Sequence, residues 1–171
     1  MFSDPTVNLS KLGIANGMKI VDLGAGSGFY SIESARKVGP SGRIYAIDVQ
    51  KDILERIRVA GATQGLHNIE VIWANAEKIG GTKLRESLAD RVIASNILFQ
   101  IEKPEEFALE IKRILKPNGK VMVIDWNSGS PMSPKTVFPS VKARMLFEKA
   151  GFKFEQSFVA GDHHYGLILA R

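Results

Sequence analysis

Three glycines at alternate positions, Gly24, Gly26 and Gly28, sit in the run VDLGAGSGFY, with Asp22 two residues before the first. Glycine has no Cβ, so a loop built from it turns sharply and lets a ligand come close to the backbone. Such a loop, leaving a strand and opening a helix, is a nucleotide-binding device. The dinucleotide spacing G-x-G-x-x-G would need glycine where Phe29 stands, and the chain instead reads G-x-G-x-G. A second signal is Asp48, at the end of IYAID and about 20 residues beyond Gly28, where ribose-binding folds place an acid to accept the sugar hydroxyls; the alternative is a cap for the next helix. A third is the pair of His163 and His164, followed by Tyr165, with Asp125 and Trp126 earlier in the chain. Imidazole exchanges protons near neutrality, an indole stacks on planar substrates, and the alternative is a polar turn with one ring packed as structure. Adjacent strand residues face opposite ways, so only one of the two imidazoles can point into a cleft. The pair makes a poor metal site, and no metal is expected.

These residues need a scaffold, and the hydrophobic pattern supplies one. Apolar strand-like and amphipathic helix-like segments alternate, the pattern of a doubly wound α/β domain. The expected elements are a short opening helix near 8–12, strand 18–23, helix 28–38, strand 43–48, helix 51–64, strand 69–73, a weak helix 82–88, strand 90–95, helix 103–115, strand 119–125, helix 140–150, and strands 152–159 and 164–170. Gly39-Pro40-Ser41-Gly42, Gly65 and Gly151 punctuate helix ends, and Pro117-Asn118-Gly119 is expected to separate a helix from its strand. The run 127–139 carries three of the prolines and is expected to be a mobile loop over the cleft.

Composition narrows the chemistry. With 171 residues, 44% hydrophobic and 24% charged, the chain is expected to form one domain, residues 1–171, with 1–16 as a short opening segment. There is no cysteine, which removes disulfides, thiolate zinc sites, iron–sulfur clusters and a cysteine nucleophile. No apolar run reaches the roughly 18 residues of a membrane span, and the polar N-terminus does not read as a secretory signal. The cytoplasm is therefore the expected compartment. A net charge of +5 is compatible with nucleic acid, but no nucleic-acid motif accompanies it.

The glycine motif, Asp48 and the pattern from about Gly17 to Ala170 resemble class I S-adenosylmethionine-dependent methyltransferases, in particular the UbiE-like or type 11 domains. The resemblance implies a Rossmann-like seven-stranded sheet of order 3-2-1-4-5-7-6 with the last strand antiparallel, and S-adenosyl-L-methionine as cofactor. It implies that Asp22, Gly24, Ala25, Gly26, Gly28 and Tyr30 surround the methionine end. Asp48 then holds the ribose and Val49 packs on adenine. Asn75, Ala76 and Glu77 follow the third strand, where Asn75 accepts a hydrogen bond from the adenine amine or else makes an Asx turn. Ser95 and Asn96 present backbone to the methionine amine. SNILFQ replaces N-P-P-Y here, which disfavours the adenine- and glutamine-modifying branch. The expected topology brings the turn 161–165 to the cofactor edge, so His163, His164 and Asp125 are candidates for catalysis and Phe99, Trp126 and Tyr165 for substrate contact. The acceptor is expected to be a small molecule. The alternatives are an RNA- or protein-directed enzyme and a catalytically silent cofactor-binding partner subunit.

Overall fold

The computed structural model describes residues 3–171. The chain opens with helix α1 (Pro5–Ser10), then β1 (Lys19–Leu23), α2 (Phe29–Val38), β2 (Arg43–Asp48), α3 (Lys51–Thr63), β3 (Ile69–Trp73) and β4 (Ala89–Ser95). A single 3-10 turn (Leu98–Gln100) leads to α4 (Pro104–Ile114), β5 (Leu115–Trp126), α5 (Ser140–Lys149), β6 (Lys153–Val159) and β7 (His164–Ala170). The strands form one seven-stranded sheet of order β3-β2-β1-β4-β5-β7-β6. β7 runs antiparallel to both β5 and β6, and the remaining pairs are parallel. This is the doubly wound, Rossmann-like order with an inserted antiparallel last strand that the sequence resemblance implies. No helix is long and apolar enough to cross a membrane among the described residues.

Strand alternation sorts the core into two layers. Val21, Leu23, Val92, Val121, Val123, Leu167 and Leu169 face α4 and α5, where Phe107, Ile111 and Phe147 are fully buried. Ile20, Ile44, Ile93, Met122 and Ile168 face α1 and α2, against Leu9, Leu12, Ala35 and Val38. α3 packs on the sheet through Ile57 against Ala46 of β2. Each enclosed Phe, Ile or Leu contributes roughly 1.5–3 kcal/mol, so both layers hold the strand ends rigidly in place.

Three expected elements differ. The opening helix starts at Pro5 rather than near Asn8, because the Asp4 carboxylate accepts from Thr6 N at 2.8 Å and Val7 N, and proline suits the first helical position. No helix forms over 82–88. Lys83 and Ser87 hold φ of +62° and +50°, outside the right-handed helical region, and the segment hangs instead on Glu110 of α4, which accepts from Gly80 N, Thr82 N and the Thr82 hydroxyl. Pro117-Asn118-Gly119 does not precede β5 but lies within it. Ala89 pairs with Leu115 and Arg91 with Lys120, so the intervening residues bulge out of the ladder.

Candidate active site

Parallel strands β1 to β4 deliver their carboxyl ends to one edge, and the loops after them enclose a cavity of about 470 Å3, within the usual 300–1,000 Å3 range of ligand sites. Asp22, Gly24, Ala25, Gly26, Tyr30, Asp48, Val49, Asn75, Ala76, Glu77, Ser95 and Asn96 line it. Gly28, although part of the motif, does not.

The glycines serve different ends. Gly28 caps α2 with φ +78°, and a Cβ there would meet Ile57 Cγ1 at 2.7 Å, so its role is to let α2 and α3 pack. At Gly24 a Cβ would meet Ile97 Cδ1 at 2.6 Å, which ties the loop after β1 to the loop after β4. Gly26, with φ +49°, faces open space; only Gly24 O lies within 4 Å of its notional Cβ, at 3.7 Å. It is the position where a ligand can lie directly on the backbone.

Two carboxylates bracket this loop. Asp22, 2% exposed, accepts from the Ser31 hydroxyl of α2 at 2.6 Å. Burial lifts its pKa to about 6, the Ser31 bond opposes the rise, and the Asp48 charge adds to it. Asp48 accepts from Gly26 N at 3.1 Å through one oxygen and from Gln50 N at 2.9 Å through the other. It therefore fixes the glycine loop and the start of α3 together and keeps lone pairs for a ligand. Among the described residues no Lys, Arg or His lines the cavity, whereas Asp22, Asp48 and Glu77 do. This lining suits a ligand that carries positive charge and hydroxyls rather than a pyrophosphate.

The lining residues after β2 and β3 are held by the sheet edge. Asn75 Oδ1 accepts from Glu77 N at 2.9 Å, an Asx turn. The Asx-turn reading of Asn75 therefore holds, and the side chain keeps one lone pair and its NH2 free of that turn. Trp73 Nε1 donates to Val49 O at 2.9 Å and holds the β2–α3 turn. On the opposite wall Asn8 Nδ2 donates to Ser3 Oγ at 2.8 Å and to the Tyr30 hydroxyl at 2.9 Å. Asn8 is buried, so it locks α1 onto α2 and brings Ser3 and Pro5 to the cavity. No motif in the sequence signalled Ser3, Pro5 or Asn8. Ser27, Phe29, Ile53, Gln100 and Ile101 also line the cavity and adjoin motifs that the sequence did signal.

The expected catalytic and substrate residues fall elsewhere. The turn between β6 and β7 does lie beside the end of β5, where Trp126 pairs with His164 and Asn127 N donates to His163 O at 2.8 Å. Yet His163, His164, Asp125, Phe99, Trp126 and Tyr165 do not line the cavity, nor does any residue of 127–139. His164 points onto the α1 side of the sheet, 4% exposed, its ring 4.2 Å from that of Trp126. Neither of its ring nitrogens has a hydrogen-bond partner among the described residues. Burial, with His163 nearby, pushes its pKa down, so it stays neutral. His163 Nδ1 shares a 2.9 Å hydrogen bond with Ser130 Oγ. The Tyr165 hydroxyl donates to Phe138 O at 2.7 Å, and burial pushes its pKa up. Strand alternation explains the pattern: the topology brings the turn to the right edge, but β7 turns its side chains into the two core layers. The 127–139 segment is tied by these same bonds to the turn before β7 at one end and to the start of β7 at the other.

Comparison with known proteins supplies the family. The family model described as a methyltransferase domain matches residues 14–162. The chain belongs to that family, the class I S-adenosylmethionine-dependent methyltransferases. It is 29% identical to the ubiquinone/menaquinone biosynthesis C-methyltransferase UbiE of Pasteurella multocida over 119 residues, which is 67% of this chain and 42% of that protein. With UbiE of Bordetella avium it shares 24% over 153 residues, 85% of this chain and 58% of that protein. It thus spans about half the length of the curated relatives it matches. A SAM-dependent methyltransferase from Aquifex aeolicus superimposes with a TM-score of 0.88 at 27% identity, covering 99% of this chain and 90% of the other. The [4+2]-cyclase SpnF shares the fold with a TM-score of 0.83 at 15% identity, covering 98% and 79%. A shared fold does not by itself fix the reaction.

Proposed function

We propose that the chain transfers a methyl group from S-adenosylmethionine to a small organic acceptor, with both molecules held in the cavity at the carboxyl edge of β1–β4. The observation that carries this reading is Asp48, whose two oxygens anchor Gly26 N and Gln50 N and which lines the cavity beside the open Gly26 backbone, with acceptor capacity left for a ligand. When bound, S-adenosylmethionine supplies a methyl group on a positively charged sulfur. Asp48 accepts the ribose hydroxyls. Val49 and Ile53 offer an apolar wall to the adenine, with Asn75 and Glu77 at its polar rim. Asp22, the glycine loop and the backbone of Ser95 and Asn96 receive the amino-acid end, where the negative charge of Asp22 favours an ammonium.

The acceptor takes the remaining wall, formed by Ser3, Pro5, Tyr30, Gln100 and Ile101. That wall is part apolar and part hydroxyl or amide, which orients a compact, partly polar molecule. The curated relatives are named for C-methylation in quinone biosynthesis, and an electron-rich ring carbon is the acceptor class we favour. Such an acceptor asks the protein chiefly for alignment. A proton released during transfer has the carboxylates that line the cavity, Asp22, Asp48 and Glu77, as its candidate acceptors. The test is calorimetric titration with S-adenosylhomocysteine and with NAD, followed by methyl transfer from labelled cofactor into a metabolite pool. Binding of the sulfur nucleoside without NAD binding is expected; NAD binding alone would overturn the reading.

A further inference from the structure

At the end of β5, Asp125 is fully enclosed, 0% exposed. Its Oδ2 accepts from Leu98 N at 2.9 Å and its Oδ1 from Trp126 N at 2.8 Å. Leu98 begins the 3-10 turn that follows Ser95 and Asn96. The same loop hangs on β5 at a second point, where Asn96 N donates to Ile124 O at 2.8 Å. Between the two points Asn96 holds φ +54°, a left-handed conformation that asparagine tolerates and that the two flanking bonds hold in place. Ile97, next in line, is the side chain against which Gly24 packs, close enough that a Cβ on Gly24 would meet its Cδ1 at 2.6 Å. A continuous path therefore runs from Asp125 through the turn amides to Ile97 and the glycine loop.

We infer that Asp125 is a positioning residue: its buried carboxylate clamps the turn after β4, fixes Asn96 and Ile97 against the glycine loop, and so sets cofactor affinity without touching the cofactor. The identity of the ligand rests on the function proposed above. A serine or asparagine would satisfy a turn amide more cheaply than an enclosed acid, which loses its hydration on burial. An ionised acid gives something a neutral cap does not, namely two charge-assisted bonds that link the strand end and the turn through one rigid group. Glu110 is a natural control. It is also a fully enclosed carboxylate that gathers loop amides, those of Gly80 and Thr82, but Thr82 and Glu110 are not part of the cavity wall.

The experiment compares wild type, Asp125→Asn, Asp125→Ala and Glu110→Gln by amide hydrogen exchange in the ligand-free protein and by calorimetry with S-adenosylhomocysteine. Exchange across 95–101 should rise tenfold or more in Asp125→Ala and less in Asp125→Asn, which keeps one acceptor, while β1 stays protected. Affinity should fall in the same order, about tenfold or more for Asp125→Ala. Glu110→Gln should loosen 80–84, lower the melting temperature and leave affinity at the wild-type value. Wild-type exchange over 95–101 in the folded Asp125→Asn protein, or affinity unchanged by that substitution, would overturn the inference. If Asp125→Ala does not fold, Asp125→Asn carries both measurements. Wild type that fails to bind S-adenosylhomocysteine would count against the cofactor reading, and the exchange data would still decide whether Asp125 clamps the turn.

Discussion

At the ends of β1 and β2 the carboxylates Asp22 and Asp48 look into a cavity, whereas at the ends of β5 and β7 the corresponding polar groups, Asp125 and His164, are walled in by protein. Both regions lie on the same edge of one sheet. The difference comes from what leaves each strand. β1 and β2 are followed by glycine or by a short turn into a helix, so Asp22 and Asp48, though buried from bulk solvent, line the cavity together with the loop backbone. β5 and β7 are joined antiparallel, residue to residue, up to Trp126 and His164, and the 127–139 segment is bonded across their ends. Topology decides which residues reach an edge; the chain that follows the strand decides whether they reach a ligand.

The largest test of this contrast is at Gly26. Gly26→Leu would fill the open space over the loop, and binding of S-adenosylhomocysteine should fall more than about a hundredfold. The left-handed φ adds only about 1–2 kcal/mol of strain, so the protein should remain folded by circular dichroism. Retained binding would mean that the ligand does not lie on the glycine loop. Asp48→Ala comes next. Loss of a charge-assisted acceptor should weaken binding by about 1.5–3 kcal/mol, measured by calorimetry. Unchanged affinity would reduce Asp48 to a device that holds Gly26 N and Gln50 N.

The loops after β1 and β2 that line the cavity were legible because their signals are local. Gly24, Gly26 and Asp48 declare themselves by type and spacing within or just after single strands, and the order of the seven strands followed from the resemblance they support. The acceptor half depends on contacts between distant segments. Asn8, which seats α1 on Tyr30, looks like any polar helical residue. The burial of His164 under Trp126 depends on which face of β7 it occupies, and a turn of uncertain length does not specify that. The 82–88 segment misled for a related reason: its conformation is set by Glu110 on α4, some 30 residues away, rather than by its own propensities.

A pH titration of stability sharpens the contrast between two acids with the same pKa. Asp22 and Asp125 are each lifted from 3.8 to about 6, chiefly by burial. An acid whose pKa is higher in the folded state stabilises the fold when protonated. That contribution is present below about pH 4 and is lost as pH rises towards 6. Urea unfolding of the ligand-free protein should therefore show each acid taking away on the order of 1–3 kcal/mol across that window. Asp22→Asn and Asp125→Asn should each flatten the profile by one such step. Only Asp22→Asn should also remove a group that faces the bound ammonium, so the two variants should separate in the pH dependence of S-adenosylhomocysteine affinity. A profile that neither substitution flattens would show that water reaches both carboxylates.

The smallest expected effect is at His164. Its two ring nitrogens are buried without partners, and an unpaired buried polar group costs free energy that an apolar ring of similar shape does not. His164→Phe should preserve the contact with Trp126 and raise stability by about 1 kcal/mol, read as a higher urea midpoint at unchanged slope. S-adenosylhomocysteine affinity should be untouched, since the ring lies outside the cavity wall. Turnover on an identified acceptor is the decisive measurement. Wild-type turnover in a stabilised His164→Phe protein would make the His164 ring structural. Lost turnover with intact cofactor affinity would instead mean that the Trp126–His164 pair opens during the reaction, and that an enclosed imidazole at this edge is held in reserve for the acceptor.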